Sequence, residues 1–317
     1  MGVQELASDN KHAGLDESSA LPPSSVVIAS RNRQQMLYET VASILDGVEV
    51  PDEIVVVDQS DERHPQLERM VSDRPCTIRY MFSDSVGVSR GRNLGIAAAR
   101  NDILVFTDDD MVMTKDWHGN IVRALLREGR RSVVTGQVLP TEVERTGGFV
   151  PSTKVDERPA HYMGRIGQEV LYPNSMALFR SAIDDVGMFD ERFGGGARFS
   201  AAEDNELAFR LLEAGYCIVY EPTVVLYHRA WRASQDYIPL CWNYGRGQGG
   251  YYGKYLSFRD RYMLRRMVID IKVLIKRVAR NAWREPRNAS GDIAYLCGLL
   301  SGALQWLLTE KRGQDLD

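Results

Sequence analysis

The chain has 317 residues, 44% of them hydrophobic and 26% charged, enough to bury the core of one large domain or two small ones. Its four cysteines, Cys76, Cys217, Cys241 and Cys297, are scattered without close pairing, which argues against a disulfide framework or a zinc site and fits a reducing compartment. The net charge of −4 hides an asymmetry, because residues 254–287 carry eleven Lys or Arg against three Asp or Glu, a local excess of +8.

Residues 1–24 are polar, contain Ser18-Ser19 and Pro22-Pro23, and show no sustained periodicity, so they read as a mobile tail. They lack the basic segment and apolar core of a secretory signal, and a cytoplasmic location is the expectation. The pattern changes at Ser25. Val26-Val27-Ile28-Ala29 forms a first strand and Ser30-Arg31-Asn32-Arg33 a polar turn, followed by a helix with Met36, Val41, Ile44 and Leu45 along one face. Ile54-Val55-Val56-Val57 is a second buried strand that runs into Asp58-Gln59-Ser60-Asp61. Leu67, Met70 and Val71 suggest a helix and residues 77–82 a strand, after which a loop over 86–93 leads into a helix through Ala99. Ile103-Leu104-Val105-Phe106 is a further buried strand, and it stops abruptly at Asp108-Asp109-Asp110. Apolar strands alternating with helices predict an α/β fold, a mostly parallel sheet covered on both faces, with polar groups gathered at one sheet edge.

That edge suits a nucleotide diphosphate. Arg92 can neutralise phosphate oxygens, Asn93 can hydrogen-bond at the start of its helix, and Asp58 or Ser60 can meet a base or ribose. Three adjacent acids repel one another unless a cation sits among them, and oxygen-rich clusters of this kind suit Mg²⁺ or Mn²⁺; the plain alternative is an acidic turn. Neither a G-x-G-x-x-G after the first strand nor a G-x-x-x-x-G-K-[ST] occurs, which counts against a dinucleotide dehydrogenase and a P-loop enzyme.

The second half supplies different groups. Residues 132–138 resemble a strand, residues 140–173 a polar excursion suited to a lid or acceptor loop, and Asn174-Ser175-Met176-Ala177-Leu178-Phe179 returns to strand character. Gly194-Gly195-Gly196 precedes a helical segment that opens with Glu203, Asp204 and Glu206. Acids there either complement the helix dipole or deliver a base to a substrate pocket. Val224-Val225-Leu226-Tyr227-His228 ends a strand on a histidine that is either structural or a further metal ligand.

Taken in order, these motifs over residues 25–230 resemble a family 2 glycosyltransferase of the GT-A fold. The matching stretches are Ser30-Arg31-Asn32-Arg33, Val56-Val57-Asp58-Gln59-Ser60, Gly91-Arg92-Asn93-Leu94-Gly95-Ile96, Phe106-Thr107-Asp108-Asp109-Asp110, Gly187-Met188-Phe189-Asp190-Glu191, Glu203-Asp204, and Pro222 onward to His228. The resemblance implies an inverting transferase with a nucleotide-sugar donor and a bound Mn²⁺ or Mg²⁺. By motif, Asp204 matches the catalytic base, and Asp108, Asp110 and His228 match the metal shell. Ser30, Asn32, Arg33, Asp58, Gln59, Arg92, Asn93, Asp108 and Asp109 fall on the donor side, and Glu203 and Asn174 on the acceptor side. UDP is the commonest donor nucleotide in the family, while Ala29-Ser30-Arg31 and Gln59 depart from its usual base-binding residues and leave GDP or dTDP open. A glycan or a lipid-linked sugar is the expected acceptor. The competing reading is a catalytically silent module that binds nucleotide sugar or polysaccharide.

The expected organisation is a tail (1–24), a catalytic domain (25–230) with a nucleotide-binding half (25–138) and an acceptor half (139–230), and a basic helical extension (231–317). In the extension, Met267-Val268-Ile269-Asp270-Ile271-Lys272 and the residues after it form a basic amphipathic helix. Residues 293–308 form a short apolar helix that Gly298 and Gly302 interrupt. Such an extension packs on the core, forms a homo-oligomer, or touches the inner face of the membrane; nothing else suggests nucleic acid.

Overall fold

Valines and isoleucines in the first strand divide their side chains between two cores, and the rest of the sheet region follows from that division. The computed structural model describes residues 20–70, 73–141, 148–229 and 231–310. The expected tail therefore lies outside them up to residue 19, as does Val71 of the expected second helix. In chain order the elements are β1 (Ser24–Ser30), α1 (Gln34–Leu45), β2 (Glu53–Asp58), α2 (Pro65–Glu68), β3 (Thr77–Phe82), α3 (Val88–Ala98), β4 (Ile103–Asp108), β5 (Met111–Met113) and α4 (Trp117–Glu128). Then come β6 (Ser132–Pro140), β7 (Gly148–Phe149), β8 (Ala160–Tyr162), β9 (Ser175–Phe179), α5 (Arg180–Val186), α6 (Glu203–Glu213), β10 (Cys217–His228) and β11 (Arg232–Ala233). Three long helices follow: α7 (Tyr237–Ser257), α8 (Arg261–Asn281) and α9 (Pro286–Thr309).

The main sheet has the order β3-β2-β1-β4-β9-β6-β10-β5, with β8 also on β10. Its first four strands are parallel; β9 runs antiparallel to both β4 and β6 and so joins the two halves. Val26, Ile28, Ile54, Val56 and Val105 meet Leu37, Val41 and Ile44 of α1 and Ile121 and Leu125 of α4 on one face. The alternate residues Val27, Val55, Val57, Leu104 and Phe106 meet Ile96 of α3, Ile183 of α5 and Leu207 and Leu211 of α6 on the other. The register sets Ser30 beside Asp58 and Ala29 beside Asp108, so three strands end together on one edge. Pro222 lies inside β10, where the register with β6 shifts between Glu221 and Val225; an irregularity of this kind is where a strand tolerates proline.

The extension packs on this core. Phe193, Phe199 and Phe209 share a third core with Tyr251 and Tyr252 of α7, Met263 and Leu274 of α8, and Leu299 and Trp306 of α9. Part of the basic excess is used here. Lys254, buried, sits 2.7 Å from Asp190 and 3.1 Å from Glu206, and the Arg266 guanidinium lies over the rings of Tyr251 and Tyr252.

Gly298 and Gly302 do not interrupt α9. They let it approach α7 at backbone distance: a Cβ on Gly302 would lie 2.1 Å from the Arg246 carbonyl oxygen, and one on Gly298 2.4 Å from that of Trp242. Gly245 and Gly249 of α7 answer them, each with a Cβ position 2.0 Å from a carbonyl oxygen of α9. Gly302→Ala is therefore expected to cost about 1–3 kcal/mol through overpacking. Thermal unfolding measures it, with Gly167→Ala as the neutral control because nothing lies within 4 Å of a Cβ there.

Candidate active site

A cavity of 730 Å³ opens where β1, β2 and β4 end, and the acids at the tip of β4 form one wall. Asp108, Asp109 and Asp110 are not left to repel one another. Arg33, just before α1, places Nη1 3.0 Å from Asp109 and 2.8 Å from Asp110, while Arg92 of α3 places Nη2 2.7 Å from Asp108 and Nη1 3.4 Å from Glu203. Ser30 donates its hydroxyl to Asp109 at 2.7 Å. Burial pushes the Asp109 carboxyl up to about 6 although Arg33 opposes it. Burial works the same way on Asp110, but His228 and Arg33 outweigh it and hold that carboxyl below its ordinary range.

Asp110 and His228 are the pair suited to a cation. The Nδ1 of His228 lies 2.9 Å from the Pro151 carbonyl oxygen, which can only accept, so this nitrogen carries the proton. Burial lowers the His228 pKa, but Asp110 and Asp108 outweigh it and raise it, so without a cation Nε2 can carry a proton toward Asp110 Oδ1, 3.5 Å away. Once a cation displaces that proton, the nitrogen lone pair and the carboxylate oxygen face each other. Two acceptors facing each other across that gap fit a divalent cation, and the carbonyl behind the ring is the orienting partner that ligating histidines have. Among the described residues no three His, Cys, Asp or Glu side chains are gathered as a complete metal cage. Mg²⁺ and Mn²⁺ are commonly held by one or two carboxylates and completed by substrate oxygens and water.

The opposite wall carries Glu203 and Asp204, in the first turn of α6. Ala202 before them has φ 73°, a left-handed conformation that costs a non-glycine residue energy and fixes where the helix begins. The carboxyl of Asp204 accepts from the Asn205 amide at 2.7 Å, and burial, Glu203 and Glu169 together raise it well above the ordinary range. A carboxylate poised in this way is a proton acceptor in waiting.

Not every residue expected at the site lines it. Ser30, Arg33, Gln59, Arg92, Asp108, Asp109, Asp110, Glu203, Asp204 and His228 do. Asn32, Asp58, Asn93 and Asn174 do not. Asp58 is fully buried and accepts from Tyr80 and from the Ser60 amide. Asn32 pairs with Asp61. The helix expected after a loop over 86–93 already begins at Val88, behind Gly87 with φ 125°, so Asn93 sits within α3 and clamps Phe189 through that residue's amide and carbonyl. Asn174 is buried and gives its carbonyl oxygen to the Thr107 hydroxyl.

The wall around Asp204 takes residues from the polar excursion over 140–173 and others that the sequence did not point to. Glu169 and Tyr172 come from the segment between β8 and β9, Tyr244 and Gln248 from α7, and Tyr295 from α9. Gln248 accepts from Asn205 at 3.2 Å, and Tyr244 reaches Ser152 at 3.4 Å, so the extension braces the first turn of α6, which carries Asp204, and the segment around Ser152. A dense run of glycine, tyrosine and glutamine at residues 244–255 is the signal that could have drawn attention to α7.

A sequence profile described as glycosyl transferase family 2 matches residues 25–187, half of the chain. The chain belongs to glycosyltransferase family 2. A pre-mycofactocin glycosyltransferase of Mycobacterium tuberculosis is 30% identical over 230 residues, which cover 69% of this chain and 45% of that one. A probable N-acetylgalactosaminyltransferase 6 of Caenorhabditis elegans is 24% identical over 224 residues and is covered to only 35%, so the chain spans about half or less of these relatives. Among solved structures, the mannosyltransferase PcManGT of Pyrobaculum calidifontis, in complex with GDP-Man and Mn²⁺, superposes with a TM-score of 0.60 at 16% identity, over 93% of this chain and 90% of that one. GalNAc-T7 with UDP, GalNAc and Mn²⁺ gives 0.52 at 17% identity, over 66% and 43%. At such identities the structures speak for the GT-A fold.

Proposed function

We propose that this glycosyltransferase moves a sugar, with inversion, from a nucleotide-diphosphate donor to a hydroxyl of a glycan or lipid-linked acceptor, with Mn²⁺ or Mg²⁺ as cofactor. The observation that carries this is one cavity with an arginine-braced acid cluster on one wall and a buried Asp204 on the other. UDP is the first candidate nucleotide. The UDP and GDP-Man complexes of the two structural relatives support a nucleotide-sugar donor and a divalent ion.

In this reading Asp110 and His228 would hold the cation with Asp108 beside them, and it would supply positive charge for the departing diphosphate. Arg33 and Arg92 hold the surrounding carboxylates in place, and Gln59 and Ser30 border the donor. Asp204 accepts the proton of the acceptor hydroxyl as its oxygen bonds to the anomeric carbon and the carbon–phosphate oxygen bond breaks. A single displacement needs one base and no covalent sugar intermediate. The four free cysteines accord with a reducing, cytoplasmic compartment.

The test is a panel of nucleotide sugars assayed for Mn²⁺-dependent release of nucleoside diphosphate, with and without oligosaccharide or lipid-linked acceptors. One donor should be consumed well above the others. A donor that binds by calorimetry and is never consumed would make the protein a silent binding module instead.

A further inference from the structure

Among the described residues, α9 is the one helix long and apolar enough to cross a bilayer, but lipid cannot surround it. One side is seated on α7 through Gly298 and Gly302, Trp306 is buried against Phe193 and Phe199, and buried Asp292 is 2.7 Å from Arg277. Its other side is bare. Ile293, Cys297, Leu300, Leu304 and Leu307 recur every three or four residues along a single exposed stripe, with Leu304 57% and neighbouring Leu308 75% exposed. At 1.5 Å per residue this stripe is roughly 21 Å long.

α8 extends the same character. Leu264, Val268, Ile269, Val273 and Ile275 are exposed and interleave with exposed Arg261, Arg265, Lys272, Lys276 and Arg280. Trp283, in the connection between the two helices, is 96% exposed, with Arg280 before it and Arg284 and Arg287 after it. A soluble surface seldom exposes so much apolar side chain without a partner. A second copy docked about a two-fold axis would bring this basic row close to itself, whereas anionic headgroups neutralise it. A tryptophan among arginines is what the headgroup layer favours.

We propose that the exposed faces of α8 and α9 dock the enzyme peripherally on an anionic lipid bilayer. The docking itself stands on these two helices; what it means for the acceptor rests on the transferase reading above. Tyr295 borders the acceptor side of the cavity while Ile293 and Cys297, on the same turns of α9, face outward. The cavity is therefore about one helix diameter, ~10 Å, from the docking face, and an acceptor sugar carried on a lipid anchor comes within reach of Asp204.

The experiment is flotation of the full-length protein with vesicles of phosphatidylcholine alone or mixed with phosphatidylglycerol, at low and high salt. Binding to the mixed vesicles at low salt, about tenfold or more above the neutral ones and reversed by salt, is the expected result. The double variant Leu304→Glu, Leu307→Glu should lose about tenfold of that binding with its melting temperature and its lipid-free donor hydrolysis unchanged. Protein that ignores the mixed vesicles, a variant that binds them equally well, or a lipid-free dimer that the variant turns into monomer would each overturn the proposal, the last in favour of a second copy. Donor hydrolysis without vesicles keeps the two readings apart. Vesicle binding with no donor consumed would count against the transferase and uphold the docking face, and the reverse would count against the docking face alone.

Discussion

Asp204→Asn should abolish most transfer and at the same time make the protein harder to unfold. The amide keeps the shape and can still accept from the Asn205 amide, but it cannot take the acceptor's proton, so turnover is expected to fall by about 10²-fold or more with donor affinity little changed. The stability effect follows from the raised pKa. In the unfolded chain this carboxyl titrates near its ordinary 3.8, whereas in the folded protein burial, Glu203 and Glu169 hold it well above that. Between those two values the folded state keeps a proton that the unfolded state has released, so wild-type stability is full below the lower value and is lost as pH rises through the higher one. Asparagine has no proton to lose. At pH 8, without cation or donor, the variant should therefore melt about 2 °C or more above wild type, with the gap closing as the pH is lowered toward 4. A variant that turned over normally would return Asp204 to a helix-capping role, and an unchanged melting temperature at pH 8 would mean that solvent reaches the carboxyl.

The parallel part of the sheet was legible because its strands are continuous apolar runs with a polar break at one end, a pattern local enough to read in six or seven residues. The strands expected at Val26–Ala29, Ile54–Val57 and Ile103–Phe106 are there and run one or two residues further, to Ser30, Asp58 and Asp108, and their register gathers the polar ends by itself. Asn93 was misplaced for a local reason too: Gly87 with its positive φ lets α3 start at Val88, which puts the expected loop residue inside a helix. The helical contribution to the wall around Asp204 was invisible for a different reason. Tyr244, Gln248 and Tyr295 reach the cavity only because α7 and α9 fold back onto Phe193, Phe199 and Phe209, and no periodicity reports a contact between residues so far apart in the chain. Gly298 and Gly302 read as helix breakers by intrinsic propensity, but the close approach to α7 outweighs it. Charge counting likewise could not separate Lys254, locked to Asp190 and Glu206, from Lys272 at the surface.

Asp110→Ala should remove the dependence of donor binding on Mn²⁺. Of the three acids, Asp108 is already committed to Arg92 at 2.7 Å, and Asp109 is shared between Arg33 and Ser30. Asp110 gives only Oδ2 to Arg33, at 2.8 Å, and leaves Oδ1 facing His228 Nε2. Without that oxygen a neutral imidazole is the remaining ligand of the pair, and one nitrogen cannot compete with the hydration shell of a hard cation. Donor affinity measured by calorimetry in the presence of Mn²⁺ is expected to fall by about 10²-fold, to the value that wild type shows with a chelator present. Asp109→Asn makes the contrast, because it keeps a hydrogen-bonding partner for Arg33 and Ser30 and leaves Asp110 and His228 in place; its Mn²⁺ dependence should persist. Equal Mn²⁺ dependence in Asp110→Ala and wild type would move the cation away from the β4 acids and leave them as an arginine-braced wall of the cavity.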